Sequence, residues 1–213
     1  HNSTEDLFAI GMTPPNPKTF CEYINVFDCS KVSDGASAVV FASEEGLSKL
    51  GVDKKDTVEL IGFGQVVADI SKDPEDQTKL TTSARAAKAA MEMAGITPKD
   101  IGMLEVHDCF TIGGILSLEA IGICGYGEAF DFVREGGTAP DGAIPTNLSG
   151  GLVGYGHYTG GTGVRQAADI VMQFTGKPDG QKLEVDPNRP YGLMVSMGGN
   201  DRTVVSCVFK RVG

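Results

Sequence analysis

The sequence predicts a mixed α/β domain built on a five-stranded sheet with helices on both faces. Segments rich in β-branched and apolar residues alternate along the chain with segments of helical periodicity, and glycine or proline separates them. The last two strand-like segments are joined by a short turn, which makes that pair antiparallel. The resulting order, β-α-β-α-β-α-β-β, is typical of a sheet covered on both sides.

The first part of the chain is predicted to be irregular and then to form two strands and a helix. Residues 1–26 are irregular because Gly11–Pro17 contains three prolines. Alternating apolar residues in Ser37–Ala42 indicate a central strand. A short helix over Glu44–Leu50 should end at the glycine that follows it. Val58–Val67 predicts a long strand whose glycines permit a bend.

A helix, a capped turn and a buried strand are predicted next. One helical face carries Leu80, Ala84, Ala87, Met91 and Ala94, and Gly95 supplies the stop. Thr97–Asp100 resembles a capped turn, and Gly102–Val106 reads as a short buried strand. Thr111–Ile121 is apolar on every side, which predicts a helix buried inside a larger core.

Two more helices and a closing hairpin complete the domain. The predicted elements are a helix over Tyr126–Arg134, a loop over Gly136–Ile144, a helix over Val164–Met172, and strands over Tyr191–Met197 and Arg202–Lys210 that meet in a turn at Asn200–Asp201.

Composition indicates a globular domain and excludes several classes of function. A chain of 213 residues can bury one sizeable core, and no apolar run reaches the length of a membrane span. The net charge of −10 disfavours binding to nucleic acid or to an anionic membrane. Five cysteines without a Cys-x-x-Cys pair indicate an intracellular, reducing compartment, with no disulfide framework and no metal site.

The stretch from Asn147 to Gly163 is the first candidate site. Seven of its seventeen residues are glycine, they surround His157, and a helix follows directly. Backbone without Cβ atoms can approach a ligand closely, and the helix N-terminus directs free N–H groups toward it. An imidazole in this setting can donate a hydrogen bond to a thioester or carbonyl oxygen. A glycine-rich turn around a structural histidine is the alternative.

A second candidate site follows the buried strand, where His107 and Cys109 stand at a strand end before a helix N-terminus. This position lowers the pKa of a thiol and favours the thiolate. The alternative makes Cys109 a small buried hydrophobic residue, which is the interpretation for the other four cysteines. Asp108 has three possible roles, of which a helix cap is favoured over a histidine orienter or a surface residue.

Four motifs in order are similar to the C-terminal half of the thiolase superfamily, and most similar to the sterol-carrier-protein-2 type. They are the segment Cys29–Val40, the HDCF block at 107–110, the glycine-rich stretch at 147–163, and SMGGN at 196–200. Ordinary thiolases have Asn-Glu-Ala-Phe in place of HDCF and a catalytic cysteine in the position of Ser196. The sterol-carrier type carries that cysteine in HDCF instead, which corresponds to Cys109.

The resemblance implies a layered αβαβα fold of which residues 27–213 form one half, preceded by a remnant of the loop region at 1–26. It implies an acyltransferase of lipid metabolism, including fatty-acid β-oxidation, that acts on coenzyme A thioesters by thiolysis or Claisen condensation, with no other cofactor and no metal. His107 and His157 would bind the enolate oxygen, Cys109 would act as acid or base, and backbone around Gly198 and Gly199 would bind an oxyanion.

Two departures from the family keep alternatives open. The nucleophilic cysteine belongs to an N-terminal half that is not in this sequence, so the expected partners are that half and further copies in a dimer or tetramer. Tyr158 stands where the family usually has proline, which allows a thiolase-like retro-aldolase, with a possible small acyl-CoA-binding subunit. A catalytically silent scaffold is the third hypothesis. Asn147 is expected to fix the loop around His157.

Overall fold

The computed structural model describes residue 24 and residues 26–213. The irregular segment predicted for residues 1–26 therefore lies almost entirely outside the described part of the chain, and it stays a prediction. Within the described part, no helix is both long and apolar enough to cross a membrane.

The core of the fold is one mixed sheet of four strands. These are β1 (Val58–Val67), β2 (Ile101–Glu105), β3 (Tyr191–Gly198) and β4 (Thr203–Arg211). Their order across the sheet is β1-β4-β3-β2, with β2 parallel to β3 and the other two pairs antiparallel. The predicted closing hairpin is confirmed, and its turn at Asn200 and Asp201 uses positive φ angles of 54° and 64°.

The fifth strand predicted over Ser37–Ala42 is wrong, because residues 33–43 form neither helix nor strand. Val40 is 89% exposed and Phe41 is 70% exposed, whereas a central strand would be covered on both faces. An alternating pattern shows only that a segment could fit a pleated sheet, and a strand also needs a neighbour with which to pair.

Six α-helices connect and cover the described strands. They are α1 (Glu44–Leu50), α2 (Thr81–Ala94), α3 (Thr111–Ile121), α4 (Ala129–Arg134), α5 (Gly151–Tyr155) and α6 (Thr162–Phe174). The predicted stops at Gly51 and Gly95 are confirmed, since both glycines cap their helices with positive φ angles of 64° and 69°. The capping box of Thr97 and Asp100 also forms, in a 3₁₀ turn directly before β2.

Helix α2 covers one face of the sheet at unusually close range. A Cβ atom at Gly62 or Gly64 of β1 would collide with backbone carbonyls of α2, so glycine at these two positions sets the spacing between helix and strand. The N-terminus of α2 has no cap from its own chain segment. Instead, the Asp201 carboxylate in the β3–β4 turn accepts hydrogen bonds from the N–H groups of Thr82 and Ser83, both at 2.8 Å.

Helix α6 covers only part of the opposite face, over β2 and β3. A second core cluster fills this interface, in which Met103 and Met194 from the strands pack against Ile170 and Phe174 from α6. Across β1 the same face is open, with Phe63 56% exposed and Val67 61% exposed. The uncovered half of this face, beside the N-terminus of α6, forms the cleft that contains the candidate site.

Helix α3, expected to be buried on all sides, packs against α2 and α4 through one side only. Ser117, Leu118 and Ile121 are buried, while Phe110 and Ile112 at its N-terminal end are 44% and 51% exposed. This exposed apolar end directly follows the strand end that carries His107.

Candidate active site

The two predicted histidines meet at one end of the cleft. His107 follows β2, and His157 lies between α5 and α6. Their ring centroids are 4.9 Å apart and the rings are perpendicular, with an interplanar angle of 88°. Both rings line the cleft together with Ser196 and Gly198 at the end of β3. The sequence thus brings together two imidazoles that are fifty positions apart in the chain.

Asn147 holds the strand end that carries His107. Its Oδ1 accepts from the Val106 N–H at 2.8 Å, and its Nδ2 donates to the Val106 carbonyl at 3.2 Å. Its backbone N–H donates to the Leu104 carbonyl at 3.0 Å, so residues around Asn147 close the outer edge of β2. Asn147 also bonds within the loop that leads to His157, because its carbonyl accepts from the Gly150 N–H at 2.8 Å and its side chain bonds to Asp108. Its expected role in fixing the loop around His157 stays a prediction.

Asp108 is a helix cap, as favoured, but the helix that it caps is distant in sequence. Its Oδ1 accepts from the Leu152 N–H of α5 at 2.7 Å. Burial raises the pKa of Asp108, and the bond from Leu152 opposes that rise. Gly151 has to be glycine here, since a Cβ atom would strike the Asp108 carboxylate and its φ is +62°. This cap ties α5, and with it the approach to His157, to the residue beside His107.

A hydroxyl group orients His157 from behind. Nδ1 of His157 lies 2.7 Å from Oγ1 of Thr162, the first residue of α6, and that hydroxyl is also 3.2 Å from the Tyr158 carbonyl. Because Thr162 contacts Nδ1, Nε2 is the ring nitrogen of His157 that can bond to a ligand. The sequence analysis gave Thr162 no role. Its position, five residues after His157 and at the start of a helix, could have indicated one.

Both imidazoles are neutral near pH 7. Burial lowers the pKa of His107 to about 4, with a further contribution from the nearby His157. Burial also lowers the pKa of His157. A neutral imidazole carries one N–H donor and one acceptor nitrogen, so the pair can offer hydrogen bonds without bringing net charge into the cleft.

Cys109 differs from the expected thiolate. Burial raises its pKa, and although the Phe110 backbone N–H lowers it, that effect is smaller. The predicted depression was wrong because desolvation of a half-buried thiol outweighs the helix terminus. The backbone at Cys109 pairs with the segment around Cys29, where Ser30 N–H donates to its carbonyl at 2.8 Å. Cys109 is not among the described residues that line the histidine cleft.

Tyr158 is fixed between two glycines. A Cβ atom at Gly35 or Gly161 would lie within 3 Å of its ring carbons, so both glycines make room for it. Its hydroxyl shares a 2.7 Å hydrogen bond with Oγ of Ser37. The segment that was expected to be a strand thus serves to hold the tyrosine.

The predicted oxyanion backbone is only partly at the cleft. Gly198 lines it, whereas Gly199 adopts a φ of 61° in the β3–β4 turn and is not among the described lining residues. Ser196, the position at which ordinary thiolases carry a cysteine, also faces the cleft, and its hydroxyl lies close to Gly163 of α6.

The cleft has a volume of about 480 Å³ and two chemically different ends. The histidines, Ser196 and the N-terminus of α6 form the polar end. The other end is apolar and is lined by Val39, Phe41, Leu60, Val205 and Phe209. Within the described residues, no group of three or more histidine, cysteine or acidic side chains is arranged to hold a metal ion.

Comparison with known proteins identifies the family of the chain. Residues 65–211 match the family model described as thiolase C-terminal domain-like. The chain is 35% identical over 198 residues to the acetyl-CoA acetyltransferase of Methanothermobacter thermautotrophicus, covering 92% of this chain and 50% of that protein. It is 28% identical over 211 residues to human sterol carrier protein 2, covering 97% and 38%.

Among solved structures, the fold resembles a chain of the Ltp2-ChsH2(DUF35) aldolase, with a TM-score of 0.62, 22% identity, and 71% and 39% of the two chains covered. The fold and the family match define a thiolase-like domain. The chain belongs to the thiolase C-terminal domain-like family. It spans half or less of the length of the curated relatives compared above.

Proposed function

We propose that the full-length protein is a thiolase that acts on coenzyme A thioesters, by thiolysis of a 3-ketoacyl-CoA or by the reverse Claisen condensation. Its nucleophilic cysteine would lie outside this chain. The observation that carries the proposal is the pair of neutral imidazoles at the polar end of the cleft, 4.9 Å apart. Two such donors can converge on one oxygen atom.

Carbon–carbon cleavage in a 3-ketoacyl-CoA releases the electrons of the broken bond into an enolate of acetyl-CoA. The negative charge of that enolate develops on the thioester oxygen, where His107 and His157 would each donate one N–H. A preorganised donor of this kind lowers a barrier by roughly 3 kcal/mol. Donation from Nε2 of His157 requires the Thr162 hydroxyl to donate its proton to Nδ1, at 2.7 Å, and not to the Tyr158 carbonyl, at 3.2 Å.

Cys109 would supply the proton. It does not line the described part of the histidine cleft, so the proposal puts the enolate carbon toward the strand end that carries Cys109, two residues after His107. Because burial raises the pKa of its thiol, Cys109 is protonated at rest and can act first as an acid. The S–H proton goes to the enolate carbon and gives acetyl-CoA. The resulting thiolate then takes the proton of incoming coenzyme A, whose sulfur attacks the acyl-enzyme. The thiol is restored and no metal or other cofactor takes part.

The open half of the sheet indicates where the rest of the enzyme would pack. Phe63 and Val67 on β1 and Phe41 beside the cleft are all more than half exposed. Apolar surface of this kind is normally covered in the assembled protein. We propose that the N-terminal half packs on this apolar surface, and that the whole enzyme then forms a dimer or tetramer.

A retro-aldolase of the same fold has weaker support. That chemistry would use the Tyr158 hydroxyl as a base at the substrate. The hydroxyl is held by Ser37 at 2.7 Å, and the ring lies between Gly35 and Gly161. The tyrosine therefore fits a role in holding the turn of His157 better than a role in proton abstraction.

The test is a kinetic assay of the full-length protein with acetoacetyl-CoA and coenzyme A. We expect thiolysis, and we expect His157→Ala to lower kcat on the order of a hundredfold, as for a lost oxyanion donor. Lys49→Ala is the control, since this side chain is exposed on α1 and pairs only with exposed Glu45 among the ion pairs found. A protein without thiolysis, or a His157→Ala variant with wild-type kcat, would contradict the proposal.

A further inference from the structure

We propose that Glu105 is a positioning residue: a buried, neutral carboxylic acid that holds His107 in the tautomer that donates into the cleft. The inference rests on the proposed function for the role of His107. It concerns a residue that the mechanism above does not use.

Glu105 is the last residue of β2, and its side chain is completely buried, with 0% exposure. Neither of its carboxyl oxygens has a hydrogen-bond partner among the described residues. The same is true of four other buried side-chain atoms among the described residues, and three of them bear on this site: the Tyr155 hydroxyl, Oε1 of Gln166 and Nδ1 of His107. A folded protein rarely leaves one such group unsatisfied, so four together need a common explanation.

Strand alternation puts the side chains of Glu105 and His107 on the same side of the β2 segment. Met103, Glu105 and His107 are at every second position, and Met103 packs against α6. Gln166 of α6 bridges the two parallel strands from that side, because its Nε2 donates to the Glu105 carbonyl at 3.3 Å and to the Val195 carbonyl at 3.2 Å. The Glu105 side chain therefore lies on the α6 side of β2, two positions before His107, and it is not among the described residues that line the cleft.

The charges around Glu105 favour its neutral form. Desolvation by burial raises its pKa well above 4.5, and Asp169 and Asp108 raise it further. The opposing charge comes from Arg165, which is already paired with Asp169 at 2.8 Å and Asp179 at 2.9 Å.

Tyr155 is a further titratable neighbour of Glu105, and burial shifts its pKa as well. Desolvation and the acidic groups around it, Glu105 first among them, raise its pKa, so its hydroxyl keeps its proton. His107 is neutral for the reason given above. The pocket behind β2 thus holds an uncharged acid, phenol, amide and imidazole.

The donors and acceptors of these neutral groups balance. None of these atoms has a direct partner among the described residues, so in the proposed network buried waters make the connections. The Tyr155 O–H would donate through one water to the carbonyl oxygen of the Glu105 acid. The Glu105 O–H would donate to a second water, which donates in turn to Nδ1 of His107 and to Oε1 of Gln166. With Nδ1 accepting, the ring proton of His107 is on Nε2, which is the donor that the enolate needs.

The first experiment asks whether Glu105 is neutral, and it does not depend on catalysis. Infrared difference spectra of the full-length protein at pH 7 should show the carbonyl band of a protonated carboxylic acid, and Glu105→Gln should remove it. Glu184→Gln, at an exposed glutamate, is the control and should leave the band. If the wild-type spectrum has no carbonyl band that disappears in Glu105→Gln, the proposal is wrong.

Thermal unfolding supplies the pH readout. The folded pKa of Glu105 is raised above the unfolded value, so its folded form retains a proton that the unfolded chain releases above about pH 4.5. Wild type therefore loses stability with rising pH in a window that begins there. Glu105→Gln lacks that loss, so its melting temperature should rise relative to wild type as pH increases. A difference that does not change with pH would also overturn the proposal.

Kinetics test the positioning of His107. The amide of Glu105→Gln can still donate to the water that bonds to Nδ1, so its kcat should stay close to wild type. Glu105→Leu cannot donate, and its kcat should fall on the order of a hundredfold with KM little changed. A folded Glu105→Leu variant with wild-type kcat, or a Glu105→Gln variant as impaired as Glu105→Leu, refutes the positioning role.

The results separate this inference from the proposed function. A full-length protein that binds and cleaves no 3-ketoacyl-CoA contradicts the proposed function and removes the catalytic role of Glu105 with it, whereas the infrared and melting results still decide whether the acid is neutral. Intact thiolysis with no Glu105 band refutes the inference alone.

Discussion

Removing the Asp201 carboxylate should destabilise the domain more than its small size suggests. This side chain is 9% exposed and caps α2 from the β3–β4 turn. It accepts from the N–H groups of Thr82 and Ser83 at 2.8 Å and from the Ser83 hydroxyl at 2.6 Å. Because α2 packs on β1 and β4, the cap connects the hairpin turn to the helix that covers this part of the sheet.

The expected cost of Asp201→Ala is about 3 kcal/mol. Loss of the cap, which leaves the buried N–H donors of Thr82 and Ser83 without a partner, costs about 2–3 kcal/mol before relaxation. Alanine at a φ of 64° adds roughly 1 kcal/mol. Relaxation and water entry offset part of this sum. For a chain of this size, 3 kcal/mol lowers the melting temperature by about 6–12 °C.

Three further variants separate the stability contributed by the cap from the cost of backbone strain. Circular dichroism monitors the thermal unfolding of each. Asp201→Gly relieves the φ strain but loses the cap, so it should fall between alanine and wild type. Asp201→Asn keeps one acceptor oxygen and tolerates positive φ, so it should be the mildest. Asp76→Ala is the matched control, since Asp76 accepts from the backbone and hydroxyl of Thr78 on the surface. If Asp201→Ala costs no more than Asp76→Ala, the reasoning fails.

Four other predictions follow from the site and the open face. The folded pKa of His107, about 4, is below its unfolded value of 6.5, so the stability that its neutral form contributes is present above about pH 6.5 and is lost as pH falls toward 4. Urea unfolding of His107→Gln should show a shallower loss over that window, and equal slopes would refute this. Cys109→Ser should leave acylation, measured as a burst, only partly intact, because Cys109 protonates the enolate released in that step, and it should lower turnover by more than about tenfold; an unchanged turnover argues against the proton role. Tyr158→Phe should keep most thiolysis, whereas abolished activity would support the retro-aldolase. The isolated 213-residue chain should bind a hydrophobic dye or self-associate in sedimentation, and a dye-free monomer would contradict the half-enzyme interpretation.

Elements with local signals could be predicted from the sequence. Gly51 and Gly95 end helices because only glycine takes a positive φ there without strain, and this requirement is visible in the residue itself. The closing hairpin was equally local, since its two strands are separated by a single turn. The strand over Ser37–Ala42 failed because pairing depends on a distant partner, which alternation does not encode.

The candidate site divides in the same way. The family motifs predicted that His107 and His157 meet. The direction of the Cys109 pKa depended on burial, which arises from residues far along the chain, and local reasoning took the helix terminus as decisive. Asp108 was expected to cap a helix, but its partner Leu152 is 44 positions away. Glu105 gave no signal, because a single glutamate in a strand is usually an exposed one.

The hydroxyl of Thr162 gives His157 freedom that a carboxylate would not. A carboxylate behind an imidazole only accepts, so it fixes the proton on the nitrogen that it faces. The Thr162 hydroxyl lies between Nδ1 and the Tyr158 carbonyl, and rotation about one C–O bond turns it from acceptor to donor. The hydroxyl can therefore bond to either neutral tautomer of His157 without movement of any heavy atom. Such rotation takes picoseconds to nanoseconds, so this reorganisation would never limit turnover.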